Sequence, residues 1–126
     1  MRLGSFGLIC LALSACATPE PLALQDPKQF IIRYDRGAMT TAYNPEGFTT
    51  ETVEKLFERT CDKAKLTQYT ESPDDIGLVH VVATCGVGAD LGIGTVDIRK
   101  RSKSELVDAK YRTRSTTGRV LRKWTL

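Results

Sequence analysis

Apolar side chains recur three and four positions apart between residues 50 and 64, which is the spacing of one face of an α-helix. Thr49 is placed to cap this helix, and Glu51 puts a negative charge in its first turn. Phe48 precedes the cap and is placed to pack on Val53 as a hydrophobic staple. The face predicted to be buried comprises Val53, Leu56, Phe57, Thr60, Cys61 and Ala64.

Two segments on either side of this helix have the composition of β-strands. Residues 30–34 are rich in aromatic and β-branched side chains, and Gly77–Cys85 is the strongest strand signal in the chain. Because strand side chains alternate between two faces, one face of the second strand carries Val79, Val81, Ala83 and Cys85. The other face carries Leu78, His80, Val82 and Thr84.

Further strands are predicted towards the C-terminus. Gly94–Lys100 is expected to direct Val96 and Ile98 inward, and residues 105–113 and 119–125 form two arms around the turn signal Thr116-Thr117-Gly118. A short helix over Ser104–Tyr111 is an alternative that the pattern alone does not exclude.

The remaining segments are predicted to be connections. Residues 35–47 contain the turn signals Arg36-Gly37 and Asn44-Pro45-Glu46-Gly47, and residues 67–77 are expected to be a polar loop that turns at Ser72-Pro73-Asp74-Asp75. The order of strand, helix, strand and further strands predicts an α+β fold, a small domain with one main helix packed on a mainly antiparallel sheet.

The chain begins with a targeting pattern. Arg2 is followed by an apolar run over residues 3–13 that is too short for a transmembrane helix, which needs about 20 residues. The run ends in Leu13-Ser14-Ala15-Cys16, which resembles the lipobox of bacterial lipoprotein precursors. The resemblance covers only about the first 20 residues, and no family is recognised for the remainder.

The lipobox resemblance implies that residues 1–15 are removed and that Cys16 carries a diacylglycerol, with further acylation of the new amino terminus. Two or three acyl chains would anchor the protein stably, because each buried methylene contributes about 0.8 kcal/mol. The implied location is the cell envelope. Enteric-type lipoproteins that stay in the inner membrane carry aspartate directly after the lipidated cysteine. This chain has Ala17 there, so the resemblance implies that the protein is located in the outer membrane and faces the periplasm. Residues 16–28 then form a proline-containing tether, and residues 29–126 form a single domain.

Two cysteines remain once Cys10 leaves with the signal peptide and Cys16 is lipidated. An isolated pair in an exported chain favours a disulfide between Cys61 and Cys85. A metal site or redox pair is the weaker alternative, because there is no C-x-x-C motif and His80 is the single histidine. The two predicted positions agree, since each cysteine lies on the face of its element that also carries the apolar side chains.

Charge is distributed unevenly along the chain. Residues 16–85 contain 7 basic and 11 acidic residues, whereas residues 86–126 contain 10 basic and 4 acidic residues. A basic surface of this kind suits an anionic partner, such as lipid headgroups, lipopolysaccharide phosphates or an acidic envelope protein. Nucleic acid is not an expected partner of an exported, anchored protein. The alternative is a solvated face whose charges protect a sheet edge. The candidate binding residues are Arg99, Lys100, Arg101, Lys110, Arg112 and Arg114.

No catalytic constellation is recognisable. His80 has no nucleophile and no orienting acid at a recognisable spacing. The acidic pair Asp74-Asp75 is typical of a solvated turn. The glycines at positions 86 and 88 form only part of a dinucleotide-binding fingerprint, because Leu91 stands in place of the third glycine. We therefore predict no cofactor, no metal and no catalytic residue. The favoured function is a non-catalytic interaction or assembly module. The alternatives are an envelope enzyme that acts on cell wall or lipid, and an accessory lipoprotein of a secretion or conjugation machine.

Overall fold

The computed structural model describes residues 21–88, 92–101, 106–113 and 119–125. In these residues two helices and seven strands follow one another along the chain. In order they are α1 (Leu22–Gln25), β1 (Gln29–Asp35), β2 (Ala38–Tyr43), α2 (Thr50–Cys61), β3 (Leu66–Pro73), β4 (Val79–Cys85), β5 (Ile93–Lys100), β6 (Leu106–Thr113) and β7 (Arg119–Thr125).

The strands form one antiparallel sheet in the order β3-β4-β2-β1-β5-β6-β7. The hairpin of β1 and β2 lies at its centre. Following β2, the chain forms α2 and returns through the outermost strand β3 to β4, which pairs with β2. On the other side, β5, β6 and β7 add successively beside β1.

The main helix packs on one face of this sheet as predicted. The Thr49 side chain accepts a hydrogen bond from the Thr52 amide at 3.2 Å, so it caps α2. Every residue of the predicted helical face is at most 6% exposed, including Thr60, whose hydroxyl donates to the Leu56 carbonyl. These side chains share one hydrophobic core with alternate residues of the strands.

Both outer parts of the sheet reach the same helix. On one side, Cys85 of β4 is bonded to Cys61. On the other, the ring of Trp124 in β7 lies 6.0 Å from the guanidinium carbon of Arg59 and packs edge-on against Tyr111. The twist of an antiparallel sheet allows seven strands to curve around a single helix in this way.

One strand was not predicted. Residues 38–43, assigned from the sequence to a connection, form β2, which pairs with β1 and β4. Met39, Thr41 and Tyr43 are buried, whereas Ala38 and Thr40 are exposed. Small and hydroxyl side chains occupy both faces, so the period-two pattern is weak in the sequence. The turn at Arg36-Gly37 is confirmed, with both residues at positive φ.

A second prediction is also wrong. Residues 67–77 were expected to be a polar loop, yet residues 66–73 form β3. This strand lies at the edge of the sheet and is polar along most of its length, with only Leu66, Tyr69 and Glu71 half-buried on the core side. Polar side chains on an edge strand disfavour pairing with other molecules. The same polar composition gives the strand no alternating hydrophobic pattern by which it could be predicted.

The C-terminal prediction is resolved in favour of the hairpin. β6 and β7 pair antiparallel, so the alternative helix over Ser104–Tyr111 is wrong. Val107 and Ala109 are buried while Lys110 and Arg112 are more exposed, which is the two-residue period of a strand. The turn residues 114–118 lie outside the described residues. Because most of the described chain is sheet, the α+β description fits only loosely.

The segment assigned to the tether is partly folded. The four residues of α1 contact β1, and Ala23 is 4% exposed. Asn44, itself buried, donates from its side-chain amide to the Ala23 carbonyl at 3.2 Å. The packed part of the chain therefore begins no later than Leu22, whereas the sequence predicted that it begins at residue 29.

Candidate binding site on the outer sheet face

The outer face is the side of the sheet opposite α2. Its side chains alternate with those of the core along each strand. On the five strands β1, β2, β4, β5 and β6, the outer face comprises Gln29, Ile31, Arg33, Asp35, Ala38, Thr40, Ala42, His80, Val82, Thr84, Ile93, Thr95, Asp97, Arg99, Asp108, Lys110 and Arg112. Val82 is 53% exposed there, which is unusual for a large apolar side chain in mid-strand.

One cross-strand row of the outer face carries two exposed arginines, Arg33 and Arg112. In the register of the sheet, Thr40 lies opposite Arg33, Arg33 opposite Thr95, and Thr95 opposite Arg112. Two strand spacings of about 4.8 Å separate the two arginine positions, so their Cα atoms are roughly 10 Å apart. Arg119 occupies the next position of this row, opposite Arg112.

Arg33 and Arg112 are not neutralised by the described part of the protein. Arg33 and Arg112 are exposed, and among the residues that the structure describes neither has an ion-pair or hydrogen-bond partner. Two outer-face acids beside this row have other partners: Asp35 is paired with Arg36 at 3.3 Å, and Asp97 accepts from the Gln29 side chain at 3.0 Å. Both guanidinium groups are therefore available to a ligand.

A shallow concavity of about 770 Å³ lies between these arginines. Its wall is mainly apolar and open to solvent on one side. Outer-face side chains that line it are Ile31, Arg33, Asp35, Ala38, Thr40, Ile93, Thr95 and Arg112. An apolar floor with a few charged groups at its margin is typical of a ligand-binding surface.

A second concavity of about 400 Å³ adjoins the first, because both are lined by Ile31, Arg33 and Thr40. It extends to α1, where Pro21 and Leu22 form its far wall. Together the two concavities run along the outer face from the start of the described chain to β6.

Only some of the predicted basic residues take part in this surface. Arg112 lines the larger concavity. Arg99 also lies on the outer face, but its Nη2 donates to the side-chain oxygen of Gln29 at 3.2 Å, and Gln29 in turn donates to Asp97 at 3.0 Å. Arg101 is paired with Asp108 at 3.4 Å. Arg99 and Arg101 thus stabilise the sheet locally.

The other predicted cations are dispersed. Lys110 lies on the outer face opposite Asp97. Lys100 is directed to the core side, with its Nζ 5.9 Å from the Phe48 ring centroid and 3.5 Å from the Gly47 carbonyl. Arg114 lies outside the described residues. Arg33 was not among the residues predicted from the sequence, and the signal for it was a single charged position within the apolar strand 30–34.

A second polar cluster joins the edge strand to the helix. The Glu71 carboxylate accepts hydrogen bonds from three hydroxyl groups, those of Tyr43 at 2.6 Å, Tyr69 at 3.0 Å and Thr50 at 2.8 Å. Burial and the Glu71 carboxylate raise the pKa of both Tyr43 and Tyr69 above the ordinary value of a tyrosine, which keeps both hydroxyls protonated as hydrogen-bond donors. Because Thr50 begins α2 and Glu71 belongs to β3, this cluster holds the edge strand on the helix.

His80 and Asp74 form an exposed pair at the turn between β3 and β4. His80 Nε2 lies 2.8 Å from Asp74 Oδ2, and Asp74 Oδ1 accepts from the amides of Ile76 and Leu78 at 3.0 and 2.9 Å. Partial desolvation opposes ionisation of Asp74, but these amide bonds and His80 outweigh it and lower the pKa of the carboxyl. Asp74 is thus a turn residue, as the solvated-turn interpretation predicted, and His80 is bonded to that turn.

The predicted disulfide is confirmed. Cys61 at the end of α2 and Cys85 at the end of β4 are covalently bonded, with Cα atoms 5.4 Å apart. Cys16 lies outside the described residues, so its lipidation stays a prediction. Gly86 and Gly88 follow β4, the amide of Gly86 donating to the Lys65 carbonyl at 2.7 Å. Residues 89–91 of the partial fingerprint are likewise outside the description.

Two further properties concern metals and membranes. In the described ranges, no three His, Cys, Asp or Glu side chains converge as a set of metal ligands. Neither α1 nor α2, the helices of the described chain, has the length and apolar character required to cross a bilayer.

Comparison of the chain with protein-family models, with curated proteins and with solved structures gives no match. A functional interpretation therefore depends on this chain's own residues, and above all on the outer face and on the lipobox-like sequence Leu13-Ser14-Ala15-Cys16.

Proposed function

We propose that the protein is a lipid-anchored envelope lipoprotein whose domain is a non-catalytic binding module, with the outer face as its binding surface. The observation that carries this proposal is the open, mainly apolar concavity with Arg33 and Arg112 at its margin, two arginines that have no partner among the described residues. The Leu13-Ser14-Ala15-Cys16 motif supports the anchor, and Ala17 favours the outer membrane facing the periplasm.

The form of the surface favours binding over catalysis. Catalysis requires a nucleophile or acid-base pair held in geometry with a substrate, usually in a site that excludes water. The concavity is instead open, and its charged groups are spread over a row of about 10 Å. Exposed apolar area beside cations is the pattern of an interaction surface.

The anchor is tested by metabolic labelling with a tagged fatty acid. Label should appear on the wild-type protein and vanish in a Cys16→Ala variant, because the thiol of Cys16 is the acceptor that the lipobox implies. An unlabelled wild-type protein that fractionates with soluble proteins would contradict the proposal.

The binding surface is tested by crosslinking in intact envelopes followed by purification. The Arg33→Gln/Arg112→Gln variant should lose crosslinked components that the wild type retains. The matched control, Lys55→Gln/Lys63→Gln, removes the same charge from exposed positions on the helix side. Equal crosslinking of all three proteins would exclude the outer face as the binding surface.

A further inference from the structure

The end of the tether lies on the binding surface. Pro21, the first described residue, lines the concavity that adjoins the one between Arg33 and Arg112. Five residue steps separate Cys16 from Pro21, and a fully extended chain spans at most about 3.5 Å per residue. An acylated Cys16 would therefore be at most about 18 Å from this end of the outer face.

That reach is short in comparison with a bilayer, whose hydrocarbon core alone is about 30 Å thick. A tether of this length keeps the outer face beside the headgroups of the leaflet that holds the acyl chains. Lipids of that leaflet would be present near the concavity at a high effective concentration, because the anchor makes the encounter intramolecular.

We propose that the outer face binds an anionic glycerophospholipid of the anchoring membrane. Arg33 and Arg112 contact the phosphate and headgroup, and the apolar floor at Ile31 and Ile93 packs against the glycerol and the upper acyl carbons. This inference rests on the proposed function, because it requires the anchor at Cys16.

The chemistry of the concavity matches this ligand. Guanidinium groups form paired hydrogen bonds with phosphate oxygens, and both are unengaged in the described structure. Ile31 and Ile93 are half-buried, so part of their apolar surface is still in contact with water, and its burial by a ligand would be favourable. A phospholipid presents a negative charge and an apolar chain within one molecule, and thus complements both features.

A second copy of this protein is a poorer occupant of the same surface. Two outer faces packed together would place Arg33 and Arg112 of each chain near those of the other, and like charges brought together oppose association. A phospholipid instead brings a negatively charged phosphate to the two guanidinium groups.

Native mass spectrometry of the full protein, released from detergent, tests the inference. The protein is incubated with equimolar phosphatidylglycerol and phosphatidylcholine, and lipid adducts are counted. We expect phosphatidylglycerol adducts to predominate on the wild type. Arg33→Gln/Arg112→Gln should reduce them by about fivefold for each arginine, the fold-change that corresponds to the contribution of one basic residue beside an anionic surface.

The control variant Lys55→Gln/Lys63→Gln has the same net charge as the arginine variant, but it should form the same lipid adducts as the wild type. Equal retention of both lipids, unchanged adducts in the arginine variant, or a dimer in place of adducts would overturn the inference. Displacement of phosphatidylglycerol by millimolar inorganic phosphate would show that the apolar floor contributes nothing, and would also overturn it. Circular dichroism of each variant verifies that the fold is retained.

The same spectra separate this inference from the proposed function. The covalent mass of the protein reports acylation at Cys16, whereas the adducts report lipid held on the outer face. An acylated protein without selective adducts refutes the inference alone. A protein without covalent lipid refutes the anchor, and the inference with it.

Discussion

Removal of the Cys61–Cys85 disulfide should destabilise the domain strongly. The bond joins the end of α2 to the end of β4 across 24 positions of the chain. In the chain-entropy treatment, closing a loop of this size stabilises the folded state by about 3.5 kcal/mol, because it restricts the unfolded chain. For a domain of about 100 residues, such a loss lowers the melting temperature by roughly 15–25 °C.

The assay is equilibrium unfolding in urea, followed by far-ultraviolet circular dichroism. Cys61→Ala, Cys85→Ala and the double variant should unfold at similar, much lower urea concentrations than the wild type. Their effects should not add, because each single variant already removes the whole crosslink. Reduction of the wild type should reproduce the loss.

Two results would refute this reasoning. The first is a double variant within about 1 kcal/mol of the wild type, a difference well below the loop-closure value. The second is additive losses in the two single variants, which would assign the destabilisation to lost packing at two buried positions instead of to the covalent bond.

Further predictions concern the Glu71 cluster and one close backbone approach. Glu71→Gln should cost about 1–3 kcal/mol in urea unfolding, because the hydroxyls of buried Tyr43 and half-buried Tyr69 lose a charged acceptor; a wild-type midpoint would contradict this role. Because the pKa of Tyr43 and of Tyr69 is raised in the folded protein, both side chains ionise at a lower pH in the unfolded chain, near pH 10, than in the folded protein. Their stabilising contribution is therefore complete below pH 10 and is lost as the pH rises further. Absorbance at 295 nm should show delayed ionisation, and Tyr69→Phe should weaken the alkaline loss of stability; ordinary titration of both would contradict it. Gly47→Ala should cost about 1–3 kcal/mol, because a Cβ there collides with the Pro27 carbonyl oxygen. An unchanged melting temperature would exclude that contact.

The parts of the fold that the sequence predicted are those with strong periodicity. The α2 face from Val53 to Ala64 and the core face of β4 each carry a nearly uninterrupted apolar series, and all of these residues are buried except Val79, which is half-buried. Because Cys61 and Cys85 belong to these two series, their bond could be predicted as well. By contrast, β2 presents small side chains on its outer side and β3 is a polar edge, so neither has a hydrophobic period that distinguishes it from a loop.

The candidate site was only partly predictable for a related reason. Arg112 could be selected from the basic C-terminal segment, but Arg33 lies 79 positions earlier in an otherwise apolar strand. The two meet in one row only because β1 and β5 pair, and β5 and β6 pair, in a particular register. Register over such separations is determined by the packed sheet as a whole, and no local pattern specifies it.

The position of β1 in the middle of the sheet has a mechanical consequence. If the chain is anchored at Cys16, a pull on the membrane reaches the domain through α1 and then along β1. That strand is hydrogen-bonded on both sides, to β2 and to β5. A load directed along it would have to shear two ladders of hydrogen bonds together instead of peeling off an edge. A protein anchored in this way would be held by a strand that is paired on both sides, and a pull on the anchor would have to break both ladders to extract it.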